Sequence, residues 1–283
     1  MNRNNNDRLG APQVPEDLMR QIMSASSFQQ NQSSYQVPTE VVELPSQGKF
    51  YPEGHPLHNI DTVEIKVMTA KEEDILTSPT LVEKGIVFDK LIDSLIVDKR
   101  IDPSSLLVGD RNAILVQARI SAYGPEHSFG SFCNNCSTAQ KVEINVEMKS
   151  KDLNFSEYQF EDGFLRLELP KSKNVVHLKF LDGKDEKDIG EEQRRRKKAN
   201  LPEEQLILLY RKLIAKLNGD KDILEIANFA MSMPVADARY IRKVYGELKP
   251  DLDLTYKFDC QKCGQTNDGG VVPINGDFFW PEL

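Results

Sequence analysis

Phe132-Cys133-Asn134-Asn135-Cys136-Ser137 and Phe258-Asp259-Cys260-Gln261-Lys262-Cys263-Gly264 hold all four cysteines of this chain, as two Cys-x-x-Cys pairs. In such a turn two thiolates converge on one ion, and backbone N–H groups can reach the sulfurs. A structural Zn²⁺ takes four ligands at about 2.3 Å in a tetrahedron, and two turns supply a Cys₄ set. Working outward, Val142, Ile144 and Val146 alternate after the first pair, and Leu254, Tyr256 and Phe258 before the second. Each pair therefore caps the end of a strand. This is the pattern of a zinc ribbon. Because a Cys₄ set leaves no open position for water or substrate, the expected Zn²⁺, one per chain, is structural. The alternatives are an iron–sulfur cluster or another metal, and disulfides or free thiols. Disulfides need an oxidising compartment, yet Met1-Asn2-Arg3-Asn4-Asn5-Asn6 carries no apolar signal core. A redox Cys-x-x-Cys opens a helix in a βαβ unit, and neither pair does.

The chain has 283 residues, enough for one large domain or two ordinary ones, with 39 % hydrophobic and 28 % charged residues. Its net charge of −8 argues against broad nucleic-acid binding, which depends on clustered Lys and Arg. No stretch approaches the roughly 18 apolar residues of a membrane span.

Residues 1–40 are rich in Asn, Gln, Ser and Pro and read as a disordered arm. Within it Leu18, Met19, Ile22 and Met23 share a helical face and are candidates for docking on a partner. Residues 41–150 read as an α+β core carrying the first zinc knuckle. It opens on turns spaced by Pro45, Gly48, Pro52, Gly54 and Pro56, then a strand at Val63, Ile65 and Val67. Capping boxes at Thr69-x-x-Glu72 and Thr80-x-x-Glu83 start two helices, the second carrying Val87, Phe88, Leu91, Ile92, Leu95 and Ile96. Asp110 is placed to cap a third helix that ends at Gly124-Pro125.

Residues 151–250 read as an insertion between the cysteine pairs. Phe164–Leu169 and Val175–Phe180 predict a β-hairpin around Pro170–Asn174. Helices are expected over 205–217 and 222–231, and after Pro234. Residues 251–283 supply the second knuckle and an aromatic end, Phe278-Phe279-Trp280. That end either packs back on the core or anchors a partner. The expected fold class is thus α+β, small β segments closed by a Cys₄ zinc ribbon around a hairpin and helices.

Catalytic signals are missing from the sequence: no phosphate-binding glycine loop, dinucleotide fingerprint or nucleophile elbow. His55, His58, His127 and His177 are scattered, and a metal site needs three or four convergent ligands. Arg194-Arg195-Arg196-Lys197-Lys198 follows Asp188, Glu191 and Glu192, which suits a solvated helix with acids first and bases last. The expectation is therefore no enzymatic activity.

Leu44-Pro45-Ser46-Gln47-Gly48 with Tyr51-Pro52, then Met68-Thr69-Ala70-Lys71-Glu72-Glu73-Asp74-Ile75-Leu76, resembles the opening of the baseplate hub family of T-even-like contractile-tailed phages. Met233-Pro234-Val235-Ala236-Asp237-Ala238-Arg239-Tyr240-Ile241-Arg242, Cys260-x-x-Cys263-Gly264 and Asp277-Phe278-Phe279-Trp280-Pro281 are similar to its larger members. The resemblance covers most of residues 41–283 and implies a structural or assembly role in the baseplate hub, exerted by protein–protein interaction. It implies hub or tail proteins as partners, with self-association as a further option, and a place in the virion tail baseplate or, during assembly, the host cytoplasm. It carries over no catalytic residue. A zinc-ribbon adaptor or regulator that binds nucleic acid or transcription machinery is the alternative.

Overall fold

The computed structural model describes residues 37–279. Residues up to 36, with Leu18, Met19, Ile22 and Met23, lie outside that range, as does Trp280. The described residues from Thr39 onward form one compact unit. Thr39 and Glu40, grouped with the arm by composition, belong to the first strand.

β1 (Thr39–Glu43) pairs antiparallel with β2 (Thr62–Lys66), Val42 opposite Val63. Alternation buries Val42, Val63 and Ile65 and leaves Val41 outside. Four helices follow: α1 (Ala70–Thr77), α2 (Pro79–Lys84), α3 (Val87–Leu95) and α4 (Val108–Tyr123). Leu91, Ile92 and Leu95 of α3 meet Ala113, Ile114 and Val116 of α4 in a first apolar cluster, with Phe278 and Phe279 from the far end of the chain. Two hairpins come next in space, though not in sequence: β3 (Glu126–Phe132) with β4 (Ala139–Asn145), and β9 (Thr255–Asp259) with β10 (Thr266–Val271).

Between them, β5 (Gln159–Glu161), β6 (Phe164–Glu168), β7 (Val175–Leu178) and β8 (Ile214–Leu217) form an antiparallel sheet in that order. Helices α5 (Gly183–Lys198), α6 (Gln205–Leu213), α7 (Ile223–Ser232) and α8 (Val235–Leu248) complete this part. Leu165, Leu167, Val176, Leu213, Ile241 and Val244 make its apolar cluster. Phe180 packs against both clusters, its ring 4.6 Å from Phe50 and 6.0 Å from Tyr245.

The architecture is mixed α+β, and most expected elements appear near their expected places. The Thr69–Glu72 capping box forms, and the Glu72 carboxylate also accepts from Ser94 Oγ at 2.6 Å. Three expectations are corrected. Thr80 caps nothing: α2 starts at Pro79 and stops at Gly85, whose φ of 68° ends the helix before α3 begins. Ile96 leaves α3 to bridge Ile65. Leu217 is not helical, because α6 ends at Leu213 and Ile214–Leu217 supplies a strand to the free edge of β7.

Asp110 is a fourth correction. It sits in the first turn of α4, three residues past the N-cap residue Leu107, and is not itself the cap. It accepts from Ser46 N–H at 3.0 Å, Ser46 Oγ at 2.6 Å and Tyr51 hydroxyl at 2.7 Å. The Tyr51 oxygen in turn accepts from Leu107 N–H at 3.1 Å. The Leu44–Tyr51 turn is thus pinned to α4 by one buried carboxylate. Burial pushes both the Asp110 carboxyl and the Tyr51 hydroxyl above their ordinary values. Gly48, at φ 70°, lies so close to the Ile60 and Leu57 backbones that no Cβ fits, which holds the turn shut.

Asp237, in the first turn of α8, does the same for the β6–β7 hairpin. Its carboxylate accepts from Lys171 N–H at 2.7 Å and Ser172 N–H at 2.9 Å. Burial raises its pKa, but those N–H groups and the Ser172 side chain outweigh it and leave the carboxyl below its ordinary value. A folded-state value below the unfolded one stabilises above roughly pH 4 and is lost as pH falls through the folded value. Wild-type protein should therefore lose more urea resistance on acidification below about pH 4 than Asp237→Asn does. Parallel acid profiles for the two proteins would remove Asp237 from the account.

Candidate metal centre

Each Cys-x-x-Cys turn forms the tip of a hairpin, and the two tips are built alike. In the first, Cys133 N–H donates to Thr138 C=O at 3.0 Å and Ser137 N–H to Cys133 C=O at 2.8 Å. In the second, Cys260 N–H donates to Gln265 C=O at 2.9 Å and Gly264 N–H to Cys260 C=O at 2.9 Å. The residue after each second cysteine takes a left-handed conformation, Ser137 at φ 55° and Gly264 at φ 69°. Glycine makes that free of strain in the second turn, whereas Ser137 accepts it with a side chain.

The tips lean together through a reciprocal pair of contacts. Asn267 Oδ1 of the second hairpin accepts from Asn134 N–H at 2.8 Å, and Gln140 Oε1 of the first accepts from Gln261 N–H at 3.0 Å. In each hairpin the accepting side chain stands four positions past the second cysteine, and the donating amide stands one past the first. The arrangement is a local two-fold. Behind it, Phe129 meets Tyr256 edge to face at 4.9 Å, and Ser131 Oγ shares a hydrogen bond with Tyr256 hydroxyl at 2.9 Å. Gly270 makes the approach of Tyr256 possible, since a Cβ there would lie 2.5 Å from the tyrosine ring. It follows a break in the β9–β10 register.

This places the four sulfurs within 4.8 Å of one another. Cys133 Sγ lies 3.7 Å from Cys263 Sγ, and Cys136 Sγ lies 3.6 Å from Cys260 Sγ. Ligands at about 2.3 Å from a tetrahedral ion stand about 3.8 Å apart, so these separations fit a shared ion. All four cysteines are free thiols, and Cys133 and Cys260 are buried while Cys263 is exposed. The amide of Cys136 leads the groups that hold the Cys133 thiol down to about 6, with Asn135 N–H at 3.4 Å and Asn267 Nδ2 at 3.6 Å from its sulfur. An all-sulfur donor set suits Zn²⁺ or an iron–sulfur centre and not a hard oxygen-seeking cation.

Of the two courses expected for the aromatic end, Phe278 and Phe279 take the first: they pack back on the core, which corrects their reading as exposed partner anchors. Both are fully buried in the first apolar cluster. Arg119, itself fully buried, donates to the Phe278 carbonyl at 3.1 Å and to the carbonyls of Gly124 and Glu126, with its guanidinium 5.4 Å above the Phe278 ring. His55 and His58 do not converge. His55 stacks on Tyr51 and shares a hydrogen bond with Ser105 Oγ at 2.9 Å, while His58 bonds to Tyr51 C=O at 2.7 Å. Asn267, Gln140 and Arg119 escaped the sequence reading. Only the matching four-residue offset of Gln140 and Asn267 from their cysteines could have flagged them.

A family model described as "T4 bacteriophage base plate protein" matches residues 37–280. This chain belongs to that family. It is a structural protein of the phage tail baseplate, and the matched span contains both cysteine pairs and everything between them. No match was found among curated proteins or among solved structures. Among the described residues of this baseplate protein, no helix is long and apolar enough to cross a membrane.

Proposed function

We propose that this baseplate protein is a hub-region subunit or assembly factor that acts through protein–protein contacts, performs no catalysis, and holds one structural Zn²⁺ on Cys133, Cys136, Cys260 and Cys263. The observation carrying the hub reading is the order of its motifs. The Leu44–Gly48 turn, Thr69–Glu72, the first cysteine pair, Met233–Arg242, the second cysteine pair and Phe278-Phe279 follow one another in an order that resembles the hub family's, inside a match over residues 37–280. The chemistry of those motifs supports a scaffold. Ser46 and Tyr51 are spent on Asp110, Glu72 on a helix cap, Asp237 on a hairpin turn and Phe278 on Arg119. Residues so committed position backbone and leave little to act on a substrate. The net charge of −8 suits protein partners better than DNA. The basic run of α5 is partly spent on acids of its own neighbourhood, Arg195 on Glu192 at 2.8 Å and Arg196 on Glu204 at 2.6 Å. That weighs against the nucleic-acid adaptor reading.

Disrupting the gene in a producing phage should leave heads intact but give incomplete baseplates and no attached contractile tails. Infectious particles at normal yield would overturn the proposal. Mass spectrometry of purified virions then separates the two versions. A copy number that matches a tail symmetry marks a subunit of the virion baseplate. Absence marks an assembly factor that acts in the host cytoplasm and leaves.

A further inference from the structure

α7 exposes apolar side chains that no described residue covers. Asp222 caps the helix by accepting from Leu224 N–H at 2.8 Å, which fixes where the first turn points. Only Ile226 and Ala230 of this apolar helix are buried, while Ile223 is 75 % and Met231 60 % exposed. Ile223, Ala227 and Met231 recur every four residues and so share one side. Single exposed apolar residues are ordinary on a protein surface, but a helical stripe of them beside a groove is a docking feature.

The groove lies between α5, α6 and α7 and encloses about 410 Å³. Ile189, Leu208, Ile214 and Ile226 give it an apolar lining, with Ile223 on its edge. Its charges are not balanced. Asp188 is engaged by Lys212 at 2.5 Å and Glu192 by Arg195 at 2.8 Å. Arg211 and Lys221, both exposed and both lining the groove, make no ion pair among the described residues. Arg211 acts on Glu192 only through space, behind the closer Arg195 and Arg196, and Lys221 acts likewise on Asp162, which Lys216 already engages at 2.7 Å. The uncommitted charge at the rim is therefore positive, on a chain whose net charge is −8.

We propose that this groove docks a segment of a neighbouring protein that presents an apolar side chain flanked by carboxylates, Ile223 and the apolar floor taking the first and Arg211 and Lys221 the second. The proposal concerns one surface and stands whether or not the chain belongs to the hub. Charge complementarity selects the partner's sign and the apolar floor supplies the anchor, the usual division between rim and centre of an interface.

The probe is a fluorescently labelled synthetic amphipathic peptide of roughly four helical turns, with Leu on one face and Glu on the other, titrated against the full chain. A second peptide carries Lys in place of every Glu. The acidic peptide should bind and the basic one should not. Combined Arg211→Glu and Lys221→Glu should weaken acidic-peptide binding at least about tenfold, as should Ile223→Ser. All three positions are solvent-facing, so thermal melts should confirm that the variants fold. Equal binding of both peptides, or wild-type affinity in the variants, would overturn the proposal. So would tighter binding of a labelled single-stranded oligonucleotide than of the acidic peptide. A concentration-dependent dimer in sedimentation that Ile223→Asp disperses would likewise overturn it, by giving the groove to a second copy.

Discussion

Replacing Cys136 and Cys263 together by serine should cut bound metal from about one equivalent per chain to near zero and lower the melting midpoint by roughly 10–20 °C. Metal binding to a structural site is folding free energy, about 10–16 kcal/mol apparent in zinc-finger peptides. That figure is a ceiling here, because the hairpins keep their own ladders and the Asn267 and Gln140 cross-links survive the substitution. A loss of about 4–5 kcal/mol is the fitting scale, in the rare tail that metal sites share with broken cores. Elemental analysis of protein purified without added metal gives the stoichiometry and separates zinc from iron. Calorimetry of the same preparations gives the midpoint. Wild-type melting with the metal gone would show the ion to be dispensable.

Asp110→Ala should cost about 3–4 kcal/mol, a large loss for one residue that is not part of an apolar core. The change strands Ser46 N–H, Ser46 Oγ–H and the Tyr51 hydroxyl, each fully or nearly enclosed. A buried donor left without a partner costs about 1–3 kcal/mol. Part of that total is offset, because a desolvated carboxylate is itself unfavourable and disappears with the substitution. Tyr51→Phe removes one donor and orphans Leu107 N–H, so it should cost about 1–2 kcal/mol. Urea melts of both single variants and the double would measure the coupling between them. If Asp110→Ala stayed within about 1 kcal/mol of wild type, the turn would be held by packing alone.

The sequence revealed those parts of the fold whose chemistry is local. Two thiol pairs with strand-like flanks announce a shared site at any separation, since no other cysteines compete. Thr69 and Glu72 announce a helix start because both halves of the box lie within one turn. Thr80 carried the same signature and misled, because Pro79 one residue earlier occupies the first turn and Gly85 breaks the run. Leu213, Ile214 and Leu217 keep helical spacing, yet the edge of β7 offers backbone partners that spacing does not register. β10 was invisible for the opposite reason: Thr266-Asn267-Asp268-Gly269-Gly270-Val271 has no apolar alternation and owes its pairing to the bulge beside Gly270. Asp110 looked like a cap because acids favour helix starts. Its actual partners lie about 60 residues upstream, at Ser46 and Tyr51, where no periodicity can point.

The reciprocal hairpin tips also set an order of events in time. The sulfurs of Cys133 and Cys136 emerge from the ribosome well before those of Cys260 and Cys263, and the intervening residues 137–259 take roughly 6–25 s to synthesise at bacterial rates. During that interval β5 to β8 and their helices can form from contacts among themselves, whereas β3–β4 has no opposite tip to meet. Closing of the ribbon is therefore a late step that needs the β9–β10 hairpin to be complete. A chain broken anywhere inside residues 137–259 carries Cys133 and Cys136 without Cys260 and Cys263, half of the proposed ligand set, whereas the full-length chain brings all four sulfurs within 4.8 Å of one another. A complete set of four thiols thus separates a finished chain from such a fragment before either can be built into a particle.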